Sequence, residues 1–488
     1  VAMNQFWTQL LALAPLAILC ATVVGVVSAI AVRRQHFTTA TVTVVGLNLA
    51  FVSLLGVLQV TPIQVTPLFI IDDYSVLFFA IVLVAALACS TLAHAYLETL
   101  PDRREEFYIL LLCSTGGAMA LIASRHMASL FIGLELLSVP LYGMVAYAYR
   151  DRISLEAGLK YMVLSGAASA FLLFGMALLY GATGTLVYAD LAAAINNGAS
   201  AHESWLMMGM GMMFVALAFK LSLVPFHLWT PDVYEGAPGP VSAYLATVSK
   251  VAVFALLLRF FTLAAPADNA WLLTLVGVIA FASMIIGNLL ALRQNNIKRL
   301  LGYSSIAHLG YLLTAIVAGG SGLAAETVGV YLATYVATTL GAFGVVTLVS
   351  SPYAGTDAGA LHHYRGLFWR RPYLAAVMTV MMLSLAGIPM TAGFIGKFYA
   401  IAVGVESGLW WLVGGIVAGS AIGLYYYLRV MVILYLDQPG ESRRDAVAGW
   451  GQQSGGIMVI LIALAVLFFG IFPAPLIKFV TAAGIGGF

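Results

Sequence analysis

The sequence predicts an all-α polytopic membrane protein with about fourteen transmembrane helices, and three observations carry that expectation. Of 488 residues, 62% are apolar and 9% charged, against roughly 25% charged in globular proteins, which excludes a water-soluble fold. Forty-eight glycines spread along the chain suit helices that approach closely through small residues. Apolar stretches of about 20 residues, the length needed to cross a hydrocarbon core of about 30 Å, recur throughout the chain between charges or Pro/Gly/Asn/Asp clusters.

Counted in order, these stretches cover residues 9–32, 37–60, 74–97, 107–124, 127–149, 155–182, 204–229, 240–264, 270–292, 300–320, 326–351, 373–404, 408–436 and 454–480. Sharing the chain among fourteen helices leaves about 35 residues for each helix and its loop, so no extramembrane domain is expected. The first stretch lacks a basic residue before it and is followed by Arg33 and Arg34. It therefore reads as a retained helix rather than a cleaved signal.

Loops after odd-numbered stretches contain Arg33, Arg34, Arg103, Arg104, Arg150, Arg152, Arg293, Lys298, Arg299, Arg365, Arg370, Arg371, Arg443 and Arg444, while those after even-numbered stretches contain only Arg125. This asymmetry places the odd loops in the cytoplasm and both termini outside, in the periplasm if the cell has one. The even loops carry acidic residues including Asp72, Asp73 and Asp268. Of the remaining basic residues, Lys478 and Arg429 lie near helix ends and can snorkel. Lys160 forms an i, i+4 pair with Glu156, and Arg259 either snorkels or binds an acidic partner.

An internal repeat is also suggested. Glu156-x4-Tyr161 resembles Glu326-x4-Tyr331, and LAFKLSLVPF (217–226) resembles MMLSLAGIPM (381–390). The matches define two five-helix units, stretches 4–8 and 9–13. An odd number of helices inverts the second unit, as in many ion transporters. The expected organisation is an N-terminal segment 1–105, repeats 106–265 and 266–436, and a C-terminal helix within 437–488. Pro225 and Pro389 would break equivalent helices and free carbonyls that are tolerable at membrane depth only where buried or hydrated.

Charges at mid-membrane are few. Glu135 lies in the fifth stretch, and Lys220, Lys250 and Lys397 lie in the seventh, eighth and twelfth. Together they oppose insertion by on the order of 10 kcal/mol, more than a structural role ordinarily needs. Three lysines cannot all pair with one carboxylate. At an assumed separation of about 7 Å and an effective dielectric near 20, Glu135 and Lys220 would interact by about 2.4 kcal/mol, enough to change a lysine between proton donor and acceptor. His227, Trp229, Asn288, Tyr303, Ser304, Ser305 and His308 could support a relay, with His227, Tyr303 and His308 its principal candidates. Cys20, Cys89 and Cys113 show no metal-ligand spacing and the histidines no haem motif, so neither a metal nor a redox cofactor is expected in this chain.

The segments HMASLFIGLELLSVPLYGMVAY (126–147), KLSLVPFHLWTPDVYEGAPGPVSAYLATVSK (220–250), NNIKRLLGYSSIAHLGYLL (295–313) and AGIPMTAGFIGKF (386–398) resemble the antiporter-like subunits of proton-pumping NADH:quinone oxidoreductase, respiratory complex I. The resemblance covers essentially the whole chain. Among those subunits it is closest to the bacterial N type, similar to mitochondrial subunit 2, because Lys397 stands where the M type has glutamate and no long lateral helix follows the last stretch. The resemblance implies that Glu135 tunes Lys220, that Lys250 relays, and that Lys397 exchanges protons toward the periplasm. It also implies that NADH, FMN, iron–sulfur clusters and quinone belong to other parts of the complex. The implied partners are a neighbouring antiporter-like subunit, small membrane subunits and lipids, with no nucleic acid. The alternatives are a subunit of a multi-subunit cation/proton antiporter and a passive scaffold. A scaffold is disfavoured because apolar side chains would join the helices without the insertion penalty.

Overall fold

The computed structural model describes residues 2–98, 100, 103–196, 203–264, 270–319, 322–350, 357–437 and 450–483. Arg443, Arg444 and Asp268, used above for orientation, lie outside the described residues. The chain forms α1 (Ala2–Ala12), α2 (Ala14–Val32), α3 (His36–Val57), β1 (Ile63–Gln64), β2 (Ile70–Ile71), α4 (Asp73–Leu97), α5 (Glu106–Ile122), α6 (Met127–Val145) and α7 (Arg152–Thr183). Then follow α8 (Tyr188–Asn196), α9 (Glu203–Leu221), α10 (Trp229–Gly236), α11 (Gly239–Tyr244), a π-helical turn (Leu245–Ser249), α12 (Lys250–Leu263), α13 (Ala270–Leu292) and α14 (Ile297–Val317). The remainder is α15 (Gly322–Val349), a 3-10 turn (Leu361–Tyr364), α16 (Leu367–Arg370), α17 (Pro372–Ala386), α18 (Ala392–Glu406), α19 (Trp410–Tyr435), α20 (Trp450–Ile471) and α21 (Ala474–Ala482).

Among the described residues, 12 helices are long and apolar enough to cross a membrane. Two further apolar helices, α5 and α17, are shorter. The difference from fourteen uniform spans has a local cause at α17, which stops at Ala386 before a break and resumes as α18. The seventh stretch likewise stops at Leu221 and resumes as α10. The antiparallel β1–β2 hairpin is an addition to the all-helical expectation. Its strands are too short for a hydrophobic period to reveal. Ile70 N–H donates to the Ala123 carbonyl at 3.0 Å, tying the hairpin to the end of α5.

Three helices, α4, α7 and α14, start after a short polar residue whose side chain satisfies an otherwise free amide. Asp72 accepts from Ser75 N–H at 2.8 Å, Asp151 from Ile153 N–H at 3.0 Å, and Asn296 from Lys298 N–H at 2.9 Å. The apolar window of α14 and that of the continuous Gly239–Leu263 segment are wholly enclosed. That of α15 is nearly so. These helices form the centre, and α2, α7, α19 and α20 leave wide apolar faces outward.

Close approach of α5 and α6 depends on two glycines. A Cβ at Gly117 would lie 2.3 Å from Leu137 N, and one at Gly133 would lie 2.8 Å from Leu121 N. Both obstacles are backbone, so neither can swing aside. Gly117→Val is expected to destabilise the chain by about 1–3 kcal/mol through overpacking, read as a lower unfolding temperature in detergent. An unchanged transition would show that the helices separate without penalty.

Two assignments of isolated charge are resolved by packing. Arg259 is fully buried and does not snorkel. Its Nη1 and Nη2 donate to Asp72 Oδ2 and Oδ1 at 2.9 and 2.8 Å, Nη2 also reaches Ser75 Oγ at 2.9 Å, and the guanidinium lies over the Tyr74 ring. Lys298, grouped by sequence with the exposed basic loops, is 1% exposed and donates to Asp357 at 2.7 Å and to the Ala237 carbonyl at 2.6 Å. Arg429 donates to the Leu292 carbonyl at 3.2 Å, and Lys478 is exposed.

Candidate functional site

The helix breaks build the site. The α9 break contains Ser222 at φ 63° and Pro225, and the α17 break contains Gly387 at φ 82°, Pro389 and Met390 at φ 71°. Both prolines stand in non-helical connections rather than inside kinked helices. A helix that stops inside the protein leaves its last carbonyls without intrahelical partners. Each break presents one of them to a lysine ammonium. Lys250 Nζ donates to the Lys220 carbonyl at 2.8 Å, one residue before the end of α9. Lys397 Nζ donates to the Ala386 carbonyl at 2.9 Å, the last residue of α17. The negative end of the helix dipole favours a cation at both places.

Lys220, Lys250 and Lys397 are all buried, at 2%, 1% and 6% exposure. Lys220 Nζ donates to Ser138 Oγ of α6 and Ser165 Oγ of α7, each at 2.6 Å. Tyr142 OH lies 2.7 Å from the same Ser165 hydroxyl. Glu135 does not form a direct ion pair with Lys220; its carboxylate accepts from Ser169 Oγ of α7 at 2.5 Å. Glu135 and Ser138 are three residues apart on α6, and Ser165 and Ser169 four apart on α7. The carboxylate rung and the lysine rung are thus about one helical turn apart along the same helix pair.

Lys250 stands at a junction rather than inside a regular helix, because it opens α12 directly after the π-helical turn. Its ammonium also donates to Ser222 Oγ at 2.5 Å, and Thr230 Oγ1 donates to the same hydroxyl at 2.5 Å. His227, in the α9 break, is 6% exposed, and its Nδ1 has no hydrogen-bond partner among the described residues. Its ring meets Tyr303 of α14 at 6.5 Å, a ring contact without a hydrogen bond.

A second cluster surrounds His308. Its Nδ1 lies 2.8 Å from Tyr331 OH, and its Nε2 lies 3.2 Å from Tyr427 OH, which is 2.5 Å from Ser304 Oγ. Tyr335 OH donates to Ser305 Oγ at 2.7 Å. One turn along α14, the Tyr311 ring lies 5.4 Å from Lys397 Nζ, while Tyr311 OH accepts from Asn288 Nδ2 at 2.7 Å. The structure therefore groups Glu135, Lys220 and Lys250 around the α9 break, and His308 and Lys397 near the α17 break. Tyr303 and His227 meet between α14 and the first break.

Sequence reasoning missed Ser138, Ser165, Ser169, Ser222, Tyr311, Tyr331 and Tyr427. Serine in an apolar helix reads as a small packing residue, so its pairing with a lysine on another helix leaves no local signal. Hydroxyls can donate or accept. Lys220 can consequently hold its hydrogen bonds as an ammonium donating to two serines, or as an amine accepting from one of them. Chemically, Lys220 can take up, hold and release a proton while keeping hydrogen bonds to Ser138 and Ser165.

The family described as NADH:quinone oxidoreductase/Mrp antiporter, TM, matches residues 124–423. The chain is 62% identical to NADH-quinone oxidoreductase subunit N of Chromohalobacter salexigens, over 97% of this chain and 98% of that protein. It is 58% identical to subunit N of Ectopseudomonas mendocina, over 99% of this chain and 98% of that protein. A chain in the structure of respiratory complex I from Thermus thermophilus with bound aureothin is similar at 34% identity and a TM-score of 0.81, covering 95% of this chain and 98% of that one. The chain therefore belongs to the NADH:quinone oxidoreductase/Mrp antiporter transmembrane family.

Proposed function

We propose that this chain is the N-type membrane-arm subunit of a bacterial NADH:quinone oxidoreductase and translocates protons, driven by electron transfer from NADH to quinone in other subunits. The observation that carries this reading is the set of three buried lysines, each hydrogen-bonded to neutral oxygen atoms, with Glu135 one turn from Lys220. A permanent counterion would fix each ammonium. Hydroxyl and carbonyl acceptors leave its protonation responsive to the position of Glu135 and to water. Glu135 is the tuning carboxylate, Lys220 and Lys250 the relay beside the first break, and Lys397 the exchange group beside the second. His308 and His227, with Tyr303, support transfer between them.

Residues 106–265 and 266–436 are read as inverted repeats, supported by the two breaks and their lysine-bound carbonyls. FMN, iron–sulfur clusters and quinone belong to other subunits in this reading. A neighbouring antiporter-like subunit, small membrane subunits and lipids are its partners in the inner membrane, with both termini periplasmic. The combined variant Glu135→Gln, Lys220→Ala, Lys250→Ala and Lys397→Ala tests the function in the reconstituted complex. The expected result is an assembled complex that has lost NADH-driven proton pumping. Assembly with normal pumping would assign a scaffold role. Cation/proton exchange by the native assembly without NADH would assign the antiporter function of the wider family.

A further inference from the structure

A stack of aromatic rings lies beside the two lysines nearest the α9 break. Tyr161 of α7 and Trp229 of α10 have centroids 4.9 Å apart at an interplanar angle of 23°, and Phe219 of α9 stacks with Trp229 at 5.2 Å. Trp229 Nε1 donates to the Phe219 carbonyl at 3.0 Å. Lys220 Nζ lies 5.7 Å from the Tyr161 centroid and Lys250 Nζ 5.1 Å from that of Trp229. Each ring therefore presents its quadrupole to a different lysine, and an ammonium in a desolvated place is sensitive to that contact. The rings must keep their mutual orientation for both contacts to persist.

That orientation joins two separate helices. Trp229 opens α10, only 8 residues long, which is attached through the non-helical α9 break on one side. A helix this short has little stability of its own and takes its position from its neighbours. One turn after Trp229, Asp232 Oδ2 accepts from Lys160 Nζ of α7 at 2.9 Å, and Asp232 Oδ1 accepts from Arg299 Nη1 of α14 at 2.6 Å. Glu235 adds a bond from Arg299 at 2.9 Å and one from Asn296 Nδ2 at 2.9 Å. Lys160 directly precedes Tyr161 in the chain. The same two helices that supply the stacked rings are thus clamped by an ion pair one residue from Tyr161 and one turn from Trp229.

We infer that Asp232 is a positioning residue for proton transfer: held by Lys160 and Arg299, it sets α10 so that Trp229 stacks on Tyr161 beside Lys220 and Lys250. The inference rests on the proton-translocation reading above. Isolated, partly exposed ion pairs contribute little to stability. Here one carboxylate is shared by cations from two helices, and its effect is on the register of α10. Asp232 acts through the rings, since its own hydrogen bonds go to Lys160 and Arg299.

The test uses the whole complex in proteoliposomes, with NADH-driven pumping normalised to assembled complex for Asp232→Ala, Asp232→Glu, Trp229→Ala and the double Asp232→Ala/Trp229→Ala. Asp232→Ala is expected to lower pumping about fivefold, Asp232→Glu to restore it to within about twofold, and the double variant to match Trp229→Ala alone. Losses that multiply in the double variant, or no rescue by glutamate, would overturn the inference. If Asp232→Ala does not assemble, Asp232→Asn replaces it in the same cycle, with the same readings. Lys220→Ala is measured in parallel. Normal pumping there takes Lys220 out of the proton path and so removes the site reading on which this inference rests, whereas impaired pumping there with independent Asp232 and Trp229 effects removes only the positioning role.

Discussion

Lys220→Ala is expected to lower NADH-driven proton pumping by more than about tenfold in assembled complex, because a positioned proton-transfer group contributes at least that much to such a step. The variant is informative because of what it leaves in place. Lys250 is held by the carbonyl of residue 220, not by its side chain. Alanine preserves that acceptor and deletes only the ammonium between Ser138 and Ser165. Loss of pumping with an unchanged amount of complex would therefore report on the amine itself. The required work is modest, since moving one charge against 100 mV takes about 2.3 kcal/mol. Unchanged dye-quench rates on NADH addition would remove Lys220 from the proton path.

The second large effect concerns folding. Arg259→Ala is expected to destabilise the chain by about 3–5 kcal/mol, because it leaves the Asp72 carboxylate facing a buried space without its cation. Asp72 also caps α4, so its loss would free the Ser75 amide as well. Replacing both partners by apolar residues, as in Asp72→Leu/Arg259→Met, is expected to recover part of the loss, since no charge is then stranded. Unfolding temperature in detergent and yield of folded chain measure both. Equal stability of Arg259→Ala and the native chain would show that solvent reaches the pair.

These two expectations differ in how far they were legible from the residues. Lys220, Lys250, Lys397 and Glu135 are conspicuous in the sequence because charge is rare in apolar stretches, and the fold class follows from the same scarcity. Arg259 was equally visible, but its partner is 187 residues away and no local pattern links them. The serine rungs were invisible for a different reason: their meaning depends on how α6 and α7 align with α9. Lys250 shows a third limit. It follows a π-helical turn at Leu245–Ser249, whose residues read as ordinary helix. Pro225 and Pro389 marked the two interruptions, but not which carbonyl each interruption would expose.

The lysine-bound carbonyls also bear on how such a protein can be altered by its genes. For Lys250 and Lys397, an acceptor is the oxygen of residue 220 or 386, which all twenty amino acids supply. No codon change at either position deletes it. An alanine scan would accordingly pass over half of each contact, and a substitution at residue 386 would register only through bulk or backbone preference. Loss of the contact must come instead from the lysine or from residues that set the path of the chain, such as Gly387, where a Cβ would lie 2.8 Å from Lys397 Cδ. The visible genetic target is thus the turn, while the chemistry resides in the amide beside it.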